Sequence, residues 1–420
     1  MLLRSPQWPL LVLALSACAC GNDTGVDAGA SDAGFDAGYD AGVDAGFDAG
    51  TDAGRDAGTA GWVRMPGFPE GCAIERAENP GVLYQPEWEP CAEQPVGCLR
   101  EVPSNYIRTT VGWHDGEHGY AYMIGVGTLI VDLDRGAIAA WRPPPPAARD
   151  GVCDIREVGI GDGYGAAYMF FRHETSAEQN FDRIYHAPLA EIGAVETPFA
   201  DVTPGFTATS PQRLGVSRSI VAAEMQPAGA TVIFGEGRWS ALSGDPVVGT
   251  SQRLTVAGDF AFWEDWGSTI RIAYGSLDQP AMFLRDPAPG RIRALHGDGA
   301  DLAWVEINDE PPTLDLYTAP VVFDASELAA RLVGSIEGIQ FTGMGGGWFV
   351  RVMADPEQLV LTELASGRTK TWLAAEGELI TGYPPTYVSA TEILIRARTL
   401  DATNYWLRLD PRSIPWDDER

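Results

Sequence analysis

Lysine and histidine are scarce in this 420-residue sequence, which has a single lysine, Lys370, against 28 arginines, and only five histidines. The low histidine count leaves little for histidine-based catalysis, and neither a G-x-S-x-G elbow nor a Ser–His–Asp order is present. A C-x-x-C pair and an EF-hand calcium loop are also missing. These absences remove the familiar signatures of hydrolases and metal sites, and no cofactor is expected.

Positive charge is outweighed throughout the chain. The sequence has 58 acidic residues against 29 basic ones, a formal net charge of −29 and a pI of about 4.4. Residues 1–60 contribute −7 of this charge, which leaves −22 on the remainder. Such a field argues against binding to nucleic acid or anionic lipid by long-range attraction. It suits a soluble, self-repelling surface, and a monomer is expected.

The N-terminus has the pattern of an export signal. Residues 1–17 contain the positive charge of Arg4 and a short apolar core around Leu10–Ala14, too short to span a membrane. The sequence Leu15-Ser16-Ala17-Cys18 resembles a bacterial lipobox, which implies cleavage before Cys18 and acylation of that cysteine. Ala19 follows where an Asp would direct retention, so the resemblance implies an outer-membrane location. An ordinary secretory signal with a chance cysteine is the alternative.

Residues 18–60 contain a low-complexity tract. The triplet Asp-Ala-Gly occurs eight times between Asp27 and Gly58. Such a tract has little apolar surface to bury and cannot offset its ordering entropy, so it predicts a disordered tether. A calcium-binding nonapeptide array is disfavoured because its Gly-Gly-x-Gly-x-Asp motif is absent.

Residues 61–105 form an irregular segment that is rich in cysteine and proline. It holds Cys72, Cys91 and Cys98, and Cys153 follows in the next segment. Four cysteines in an exported chain indicate two disulfides with three possible connectivities. We predict the pairs Cys72–Cys91 and Cys98–Cys153. A zinc site is disfavoured by the spacing.

Residues 106–416 repeat a short apolar run that would be buried on both faces. The seven runs start 40 to 54 residues apart, at positions 120, 166, 220, 260, 302, 348 and 393. A strand that is apolar on both faces is covered on both sides, and this period is typical of propeller blades. The sequence therefore predicts an all-β fold, one seven-bladed β-propeller of four-stranded antiparallel blades. A β-sandwich and a β-helix are the alternatives, and residues 417–420 are expected to be a frayed tail.

A recurring strand ending supports a family resemblance. Val131–Gly136 reads V-D-L-D-R-G, and Thr362–Gly367 and Arg408–Asp410 are looser versions. This pattern of strand endings resembles that of TolB-like propellers. Together with the N-terminal signal and tether, the whole sequence resembles a bacterial outer-membrane lipoprotein. No Gly-His…Trp-Asp pair accompanies the units, which disfavours a WD-repeat propeller.

The residues that follow the apolar runs are candidates for a ligand-binding rim of the channel. We expect them in loops after the second strands, with three acidic units facing three basic ones. This arrangement would suit a ligand of both charges or a polar partner loop. The alternative is that they end strands and form salt bridges between blades. The six residues are Arg172, Glu224, Glu264, Glu306, Arg351 and Arg396.

A second candidate is a group of possible metal ligands on one turn. His114, Asp115, Glu117 and His118 lie within five residues, but before a strand rather than on a helix. Helical H-E-x-x-H geometry is therefore not available, although the loop could fold around zinc. A plain surface turn is the alternative.

The combined pattern indicates a lipid-anchored protein of the cell envelope. We interpret the propeller as a non-catalytic binding or scaffold module for a protein or an envelope glycan. The rival interpretation is a carbohydrate-active enzyme, a lyase or glycosidase, with its site at the channel mouth; a third is a spacer without a ligand. An enzyme should bring polar side chains together, at least one with a strongly shifted pKa.

Overall fold

The computed structural model describes most of the chain after residue 60. The described ranges are 61–64, 75–91, 98–101, 109–114, 119–124, 128–142, 151–173, 181–189, 200–201, 211–225, 230–235, 237–242, 254–266, 270–280, 282–285, 291–299, 301–309, 312–321, 330–338, 341–354, 356–380, 385–400 and 404–419. All of them belong to one compact unit, residues 55–420. The predicted signal peptide (1–17), the lipidated Cys18 and the tether up to residue 60 lie outside the described residues.

Seven antiparallel blades form a ring, so the predicted seven-bladed propeller is confirmed. Blades 1 to 3 contain β5 (Thr109–His114), β6 (Gly119–Ile124), β7 (Thr128–Asp132) and β8 (Gly136–Arg142); β9 (Gly151–Gly161), β10 (Tyr164–His173), β11 (Phe181–Pro188) and β12 (Ala200–Asp201); and β13 (Pro211–Val216), β14 (Val221–Met225), β15 (Ala230–Gly235) and β16 (Arg238–Ala241).

Blades 4 to 6 have the same four-stranded order. They contain β17 (Leu254–Ala257), β18 (Phe260–Trp266), β19 (Ile270–Gly275) and β20 (Met282–Arg285); β21 (Arg291–Asp298), β22 (Asp301–Asp309), β23 (Pro312–Pro320) and β24 (Arg331–Ile336); and β25 (Phe341–Gly345), β26 (Trp348–Ala354), β27 (Glu357–Glu363) and β28 (Thr369–Leu373). The first strands contact one another around the ring and form its inner edge.

Blade 7 is assembled from both sides of the repeat region. Its C-terminal strands are β29 (Glu378–Leu379), β30 (Pro385–Val388), β31 (Ile393–Thr399) and β32 (Asn404–Leu409). Its outer strand is β4 (Cys98–Glu101), which pairs with β32 and continues into β3 (Trp88–Pro90). Two further strands, β1 (Trp62–Arg64) and β2 (Glu75–Ala77), extend the outer edge of blade 1. The described strands of residues 61–105, a segment predicted to be irregular, thus complete the first and last blades.

Each apolar run of the sequence lies in or at the start of the second strand of its blade. The second strand pairs on both edges within its sheet and packs on both faces against neighbouring blades, which explains why it is apolar on both faces. Phe262 and Trp304, for example, lie in one cluster between blades 4 and 5 and are almost fully buried. The blade interfaces therefore form the core.

The turns between first and second strands join neighbouring blades through aspartates. Asp162 accepts a hydrogen bond from the Arg218 backbone N–H (3.2 Å), and Asp298 accepts one from Gly346 N–H (2.6 Å). Between blades 3 and 4, the Ser219 hydroxyl donates to Asp259. These contacts couple successive turns along one face of the ring.

Hydrogen-bonded polar side chains tie blade 7 to blade 1 in a group that we call the seam cluster, Asp134, Tyr387, Glu392 and Arg408. The Arg408 guanidinium donates to both Glu392 carboxylate oxygens (2.5 and 3.0 Å) and to Asp134 Oδ1 in blade 1 (2.8 Å). The Tyr387 hydroxyl donates to Glu392 Oε1 (2.5 Å). Burial would lower the pKa of Arg408, but its bonds to Glu392 and Asp134 outweigh burial and raise it. The cluster is therefore a fully paired ionic joint.

The C-terminal residues lie against the outer strand of blade 6, whereas a frayed tail was predicted. Asp417–Glu419 form a 3-10 turn, and Asp417 accepts hydrogen bonds from Thr371 N–H (2.9 Å) and the Thr369 hydroxyl (2.7 Å). The sole lysine, Lys370, is 4% exposed and donates to the Pro411 carbonyl oxygen (2.7 Å). These bonds order the tail. No described segment forms a helix with the length and apolarity needed to cross a membrane.

Candidate functional site

The candidate rim residues lie inside second strands, not in the loops that follow them. Arg172 is in β10, and the others lie in β14, β18, β22, β26 and β31. Glu224, Glu264, Glu306 and Arg351 are 5%, 0%, 3% and 6% exposed, and Arg396 is half-buried. The predicted loop position is therefore wrong, because a charged residue inside a strand looked like the end of that strand.

These side chains are also distributed over several blade interfaces. Glu264 lies two residues after Phe262 and Glu306 two after Trp304, so the strand alternation directs both towards the interface of blades 4 and 5. Trp304 Nε1 donates to Glu306 Oε1 (2.8 Å). Arg351 donates to the Glu337 carbonyl oxygen (2.5 Å) in the segment between blades 5 and 6, and burial lowers its pKa. Their positions match the alternative interpretation, contacts between blades, better than an exposed rim.

Most of the predicted metal ligands lie outside the residues that the structure describes. His114 ends β5, but Asp115, Glu117 and His118 lie outside the described residues. Within the described part of the chain, no three His, Cys, Asp or Glu side chains are grouped as a metal site would require. The zinc hypothesis therefore gains no support from the described part.

One disulfide differs from the predicted pairing. Cys91 and Cys98 are bonded to each other, with a Cα–Cα distance of 5.5 Å. They face each other across the β3–β4 hairpin, where Cys91 N–H donates to the Cys98 carbonyl oxygen (3.2 Å). The predicted Cys72–Cys91 and Cys98–Cys153 pairs are thus wrong, because the hairpin brings the two nearest cysteines together. Cys72 lies outside the described residues, and Cys153 is in β9.

Two charged residues that the sequence did not indicate, Glu157 and Arg213, lie on the inner strands of blades 2 and 3, and Arg213 lies beside the sequence-indicated Glu224. We call Glu157, Arg213 and Glu224 the inner-strand cluster. Glu157 is on β9 and Arg213 on β13, the first strands of their blades, and Arg213 is the register partner of Glu224 on β14. Register partners have neighbouring side chains on one face of the sheet.

Two glycines on β9 allow the two inner strands to approach closely. A Cβ at Gly159 would lie 2.6 Å from Val216 Cγ2, and a Cβ at Gly161 would collide with the Val216 carbonyl oxygen. Without side chains at these positions, β9 packs directly on β13. This packing brings Glu157, two residues before Gly159, within electrostatic reach of Arg213.

The electrostatics of the inner-strand cluster are unusual for carboxyl groups. Burial raises the pKa of Glu157 to about 8, and Arg213 offsets only part of that rise. Burial also raises the pKa of Glu224, again against the charge of Arg213. At neutral pH the Glu157 carboxyl is thus mostly protonated and can donate a hydrogen bond.

Glu157 and Arg213 were missed because they are far apart in sequence and each has an ordinary local context. Glu157 precedes Val158-Gly159-Ile160, and Arg213 precedes Leu214-Gly215-Val216. A charged residue two positions before a glycine on the first strands of blades 2 and 3 is the shared local signal. Its meaning depends on which strands form the inner edge.

Comparisons with known proteins add little beyond the architecture. No family model and no curated protein matches the sequence. Among solved structures, a prolyl endopeptidase is similar with a TM-score of 0.49 and 12% identity over 75% of this chain. This chain spans 49% of that one, about half its length.

Two other solved structures are similar at comparable levels. The β-propeller domain of the Trilobed protease from Pyrococcus furiosus has a TM-score of 0.46 and 11% identity, covering 74% of this chain and 98% of that one. Prp20p from Saccharomyces cerevisiae has a TM-score of 0.39 and 10% identity, covering 73% and 84%. At these levels the likenesses carry no argument about function.

Proposed function

We propose that this propeller is a non-catalytic binding module of the cell envelope, whose partner is a protein or an envelope glycan. The observation that supports it best is the inner-strand cluster, which places an exposed arginine beside two partly desolvated carboxyls at the edge of the ring. Inner strands of a propeller line its central channel, where ligands commonly bind. Polar groups at such an edge can contact a loop or sugar that enters the channel.

The proposed location rests on the N-terminal sequence alone. A chain acylated at Cys18 and carrying a polar tether would hold the propeller away from the outer membrane, since several acyl chains together give stable anchoring. Fractionation after labelling with an alkyne fatty acid tests this. Label and membrane association should both be lost in Cys18→Ser, and label retained in that variant would contradict the assignment.

The binding role is tested by capture of partners from envelope extract. The full chain would be compared with Glu157→Gln/Glu224→Gln and with the control Glu89→Gln/Glu376→Gln, which makes the same change in charge at two exposed glutamates. We expect one partner, identified by mass spectrometry or glycan analysis, to be captured by the wild type and the control but lost in the inner-strand variant. Equal capture by all three proteins would remove the cluster from the binding site.

A carbohydrate-active enzyme is the second candidate, and the pKa of Glu157 is the observation that favours it. Glycosidases use one protonated acid, a role that Glu157 could take, together with one carboxylate. Turnover of an envelope polysaccharide by the wild type, abolished in Glu157→Gln, would favour this candidate. Capture of a partner without any turnover would favour the binding module.

A further inference from the structure

The C-terminal tail, residues 411–419, lies on the outer edge of blade 6. The outer strand β28 pairs with β27 on one side, and on its other side Lys370 forms an isolated antiparallel bridge with Trp416. Pro415 precedes the bridge and has no N–H, so it contributes no backbone donor to this edge. The edge therefore holds the tail mainly through side chains.

Two successive carboxylates of the tail are bound by separate sets of donors. Asp417 Oδ1 accepts a hydrogen bond from Thr371 N–H (2.9 Å). Its Oδ2 accepts from the hydroxyls of Thr369 (2.7 Å) and Thr371 (3.0 Å). Arg368 donates from Nε (3.2 Å) and from Nη2 (2.7 Å) to the next carboxylate, that of Asp418. Bonds to ionised carboxylates are strong, and the paired bonds of arginine also fix the orientation of the ligand.

A position for an indole lies next to these donors. The ring centroid of Trp416 is 4.5 Å from Lys370 Nζ and 4.1 Å from Arg368 Cζ. It is 5.7 Å from the ring centroid of Trp348. Cations at such distances are attracted to the face of an indole, and the Pro411 carbonyl oxygen (2.7 Å) holds the Lys370 ammonium in place. The edge thus accommodates one tryptophan followed by two acidic residues.

The end of the tail is held mostly by exposed contacts. The Arg368 side chain is 40% exposed, and its partners Asp418 and Glu419 are 63% and 59% exposed. Exposed ion pairs contribute little net stability, and a segment with few backbone bonds opens locally without global unfolding. The tail also covers β28 only in part, since Leu373 remains 49% exposed. A segment that continued the backbone pairing along β28 would therefore compete with the tail.

We propose that the outer edge of blade 6 is a binding site for an extended segment of a partner protein, in which a tryptophan without a preceding proline is followed by two acidic residues. The C-terminal tail is the internal occupant of this site, and the partner segment displaces it. A strand added to a sheet edge gains affinity from its main chain and specificity from its side chains. The inference goes beyond the proposed function, because this site is separate from the inner-strand cluster.

The overall charge of the chain makes the two local basic residues decisive. The residues after position 60 carry a formal −22 in total, which opposes the approach of an acidic segment. Salt screens this repulsion beyond about 10 Å at 0.1 M ionic strength. Arg368 and Lys370 contact the bound segment directly and are screened less. Binding should therefore require Arg368 on the edge and the two carboxylates on the ligand.

Fluorescence anisotropy with labelled peptides tests the inference. The probes are the tail peptide (residues 413–420), the same peptide with Pro415→Thr, and a third peptide that carries Asp417→Asn and Asp418→Asn in addition. They are titrated against the full-length wild type and against full-length Trp416→Ala/Asp417→Ala, the weakened-tail variant. Circular dichroism and the urea midpoint verify that this variant is folded.

The weakened-tail variant should bind the tail peptide at least about tenfold more tightly than the wild type, because the attached tail no longer competes at high effective concentration. The Pro415→Thr peptide should bind more tightly still, and the asparagine peptide about tenfold more weakly or worse. Adding Arg368→Gln to the variant should weaken binding to a similar extent. Adding Arg218→Gln, at an exposed arginine of blade 3, should change nothing.

Displacement of the tail is measured separately in the wild type, so the test does not depend on the folding of the variant. With 5-fluorotryptophan incorporated, the ¹⁹F signal of Trp416 is assigned by its loss in Trp416→Phe. Saturating Pro415→Thr peptide should move this signal to the position of a solvent-exposed indole. An unmoved signal while anisotropy shows binding would place the peptide elsewhere and overturn the inference.

Three further results would also overturn it. These are no binding of any peptide up to its solubility limit, equal binding by the wild type and the weakened-tail variant, and equal binding of the acidic and asparagine peptides. A concentration-dependent dimer that is lost in Trp416→Ala would overturn the partner assignment in favour of the tail of a second copy. If a partner is still captured through Glu157 and Glu224 while the peptides fail, the proposed function survives and only the blade 6 site is lost.

Discussion

The seam cluster and the inner-strand cluster both bury ionisable side chains, but they differ in pairing. At the seam, Arg408 is hydrogen-bonded to Glu392 and Asp134. In the inner-strand cluster, burial raises the pKa of Glu157 and of Glu224, and the nearby charge of Arg213 offsets only part of that rise. The seam cluster thus compensates its charges by direct bonds between blades, whereas the inner-strand cluster compensates them only in part. Two predictions test this difference directly, and two more test the contacts that hold the outer strands of blades 6 and 7.

The largest effect is expected at the seam. Arg408→Ala leaves Glu392 buried and uncompensated, and breaking such a pair costs about 3–5 kcal/mol of unfolding free energy. Urea denaturation followed by tryptophan fluorescence measures the loss. The matched control is Arg412→Ala, whose pair with Asp410 is at the surface and should not contribute measurably. Equal losses in the two variants would contradict a special role for the seam.

The second effect is a pH dependence produced by the inner-strand cluster. Native Glu157 holds its proton up to about pH 8, whereas the unfolded residue releases it near 4.5, so the native state binds more protons between these values. Its stabilising contribution is full below pH 4.5 and is lost as the pH rises to 8, at up to about 1.4 kcal/mol per pH unit.

Comparison with Glu157→Gln isolates this contribution. The wild type should lose unfolding free energy relative to the variant as the pH rises from 5 to 8, as measured by urea midpoints at each pH. Parallel curves for the two proteins would show that Glu157 titrates normally. The Glu89→Gln variant controls for charge, because Glu89 is exposed.

The third effect comes from the hairpin that supports the seam. The Cys91–Cys98 bond closes a short loop, and loop entropy assigns such a crosslink about 2.5 kcal/mol. Cys91→Ala/Cys98→Ala should lower the Tm under oxidising conditions, and reductant should have no further effect through this bond. An unchanged Tm would mean that β4 is held by its pairing with β32 alone.

The smallest effect is expected where the tail contacts blade 6. Asp417→Ala removes hydrogen bonds to Thr369 and Thr371, and we expect a loss of about 1–2 kcal/mol by urea denaturation. Asp418→Ala, which removes a more exposed carboxylate, is the control. A loss as small as that of the control would mean that the tail does not stabilise the blade.

The blades could be predicted because their second strands carry the information locally. Runs such as Phe260–Trp263 are apolar on both faces. Their spacing is typical of propeller blades, and counting them gives the number of blades. The motif at Val131–Gly136 was also informative, because it marks the turn after a third strand, where Asp132 accepts hydrogen bonds from Asp134 and Arg135 N–H. Local patterns of this kind need no partner to be recognised.

The site could not be predicted, because it depends on contacts between distant segments. Glu157 and Arg213 are brought together only by the packing of β9 on β13. Glu264 and Arg351 were assigned to a rim because a charge after an apolar run suggests an exposed strand end, whereas the structure buries both within strands. The prediction of the disulfide pairs failed for the same reason, since the β3–β4 hairpin has only short strands without a strong alternating pattern.

The outer strand of blade 7 has a consequence for the order in which the protein forms. Cys98–Glu101 leaves the ribosome about 300 residues before its partner strand Asn404–Leu409. Six blades can therefore assemble while the ring is still open, and closure depends on the last strand to be synthesised. A chain that stops before residue 404 lacks β32, so both β31 and β4 lose a pairing partner. The ring can therefore close only after its final blade has been synthesised.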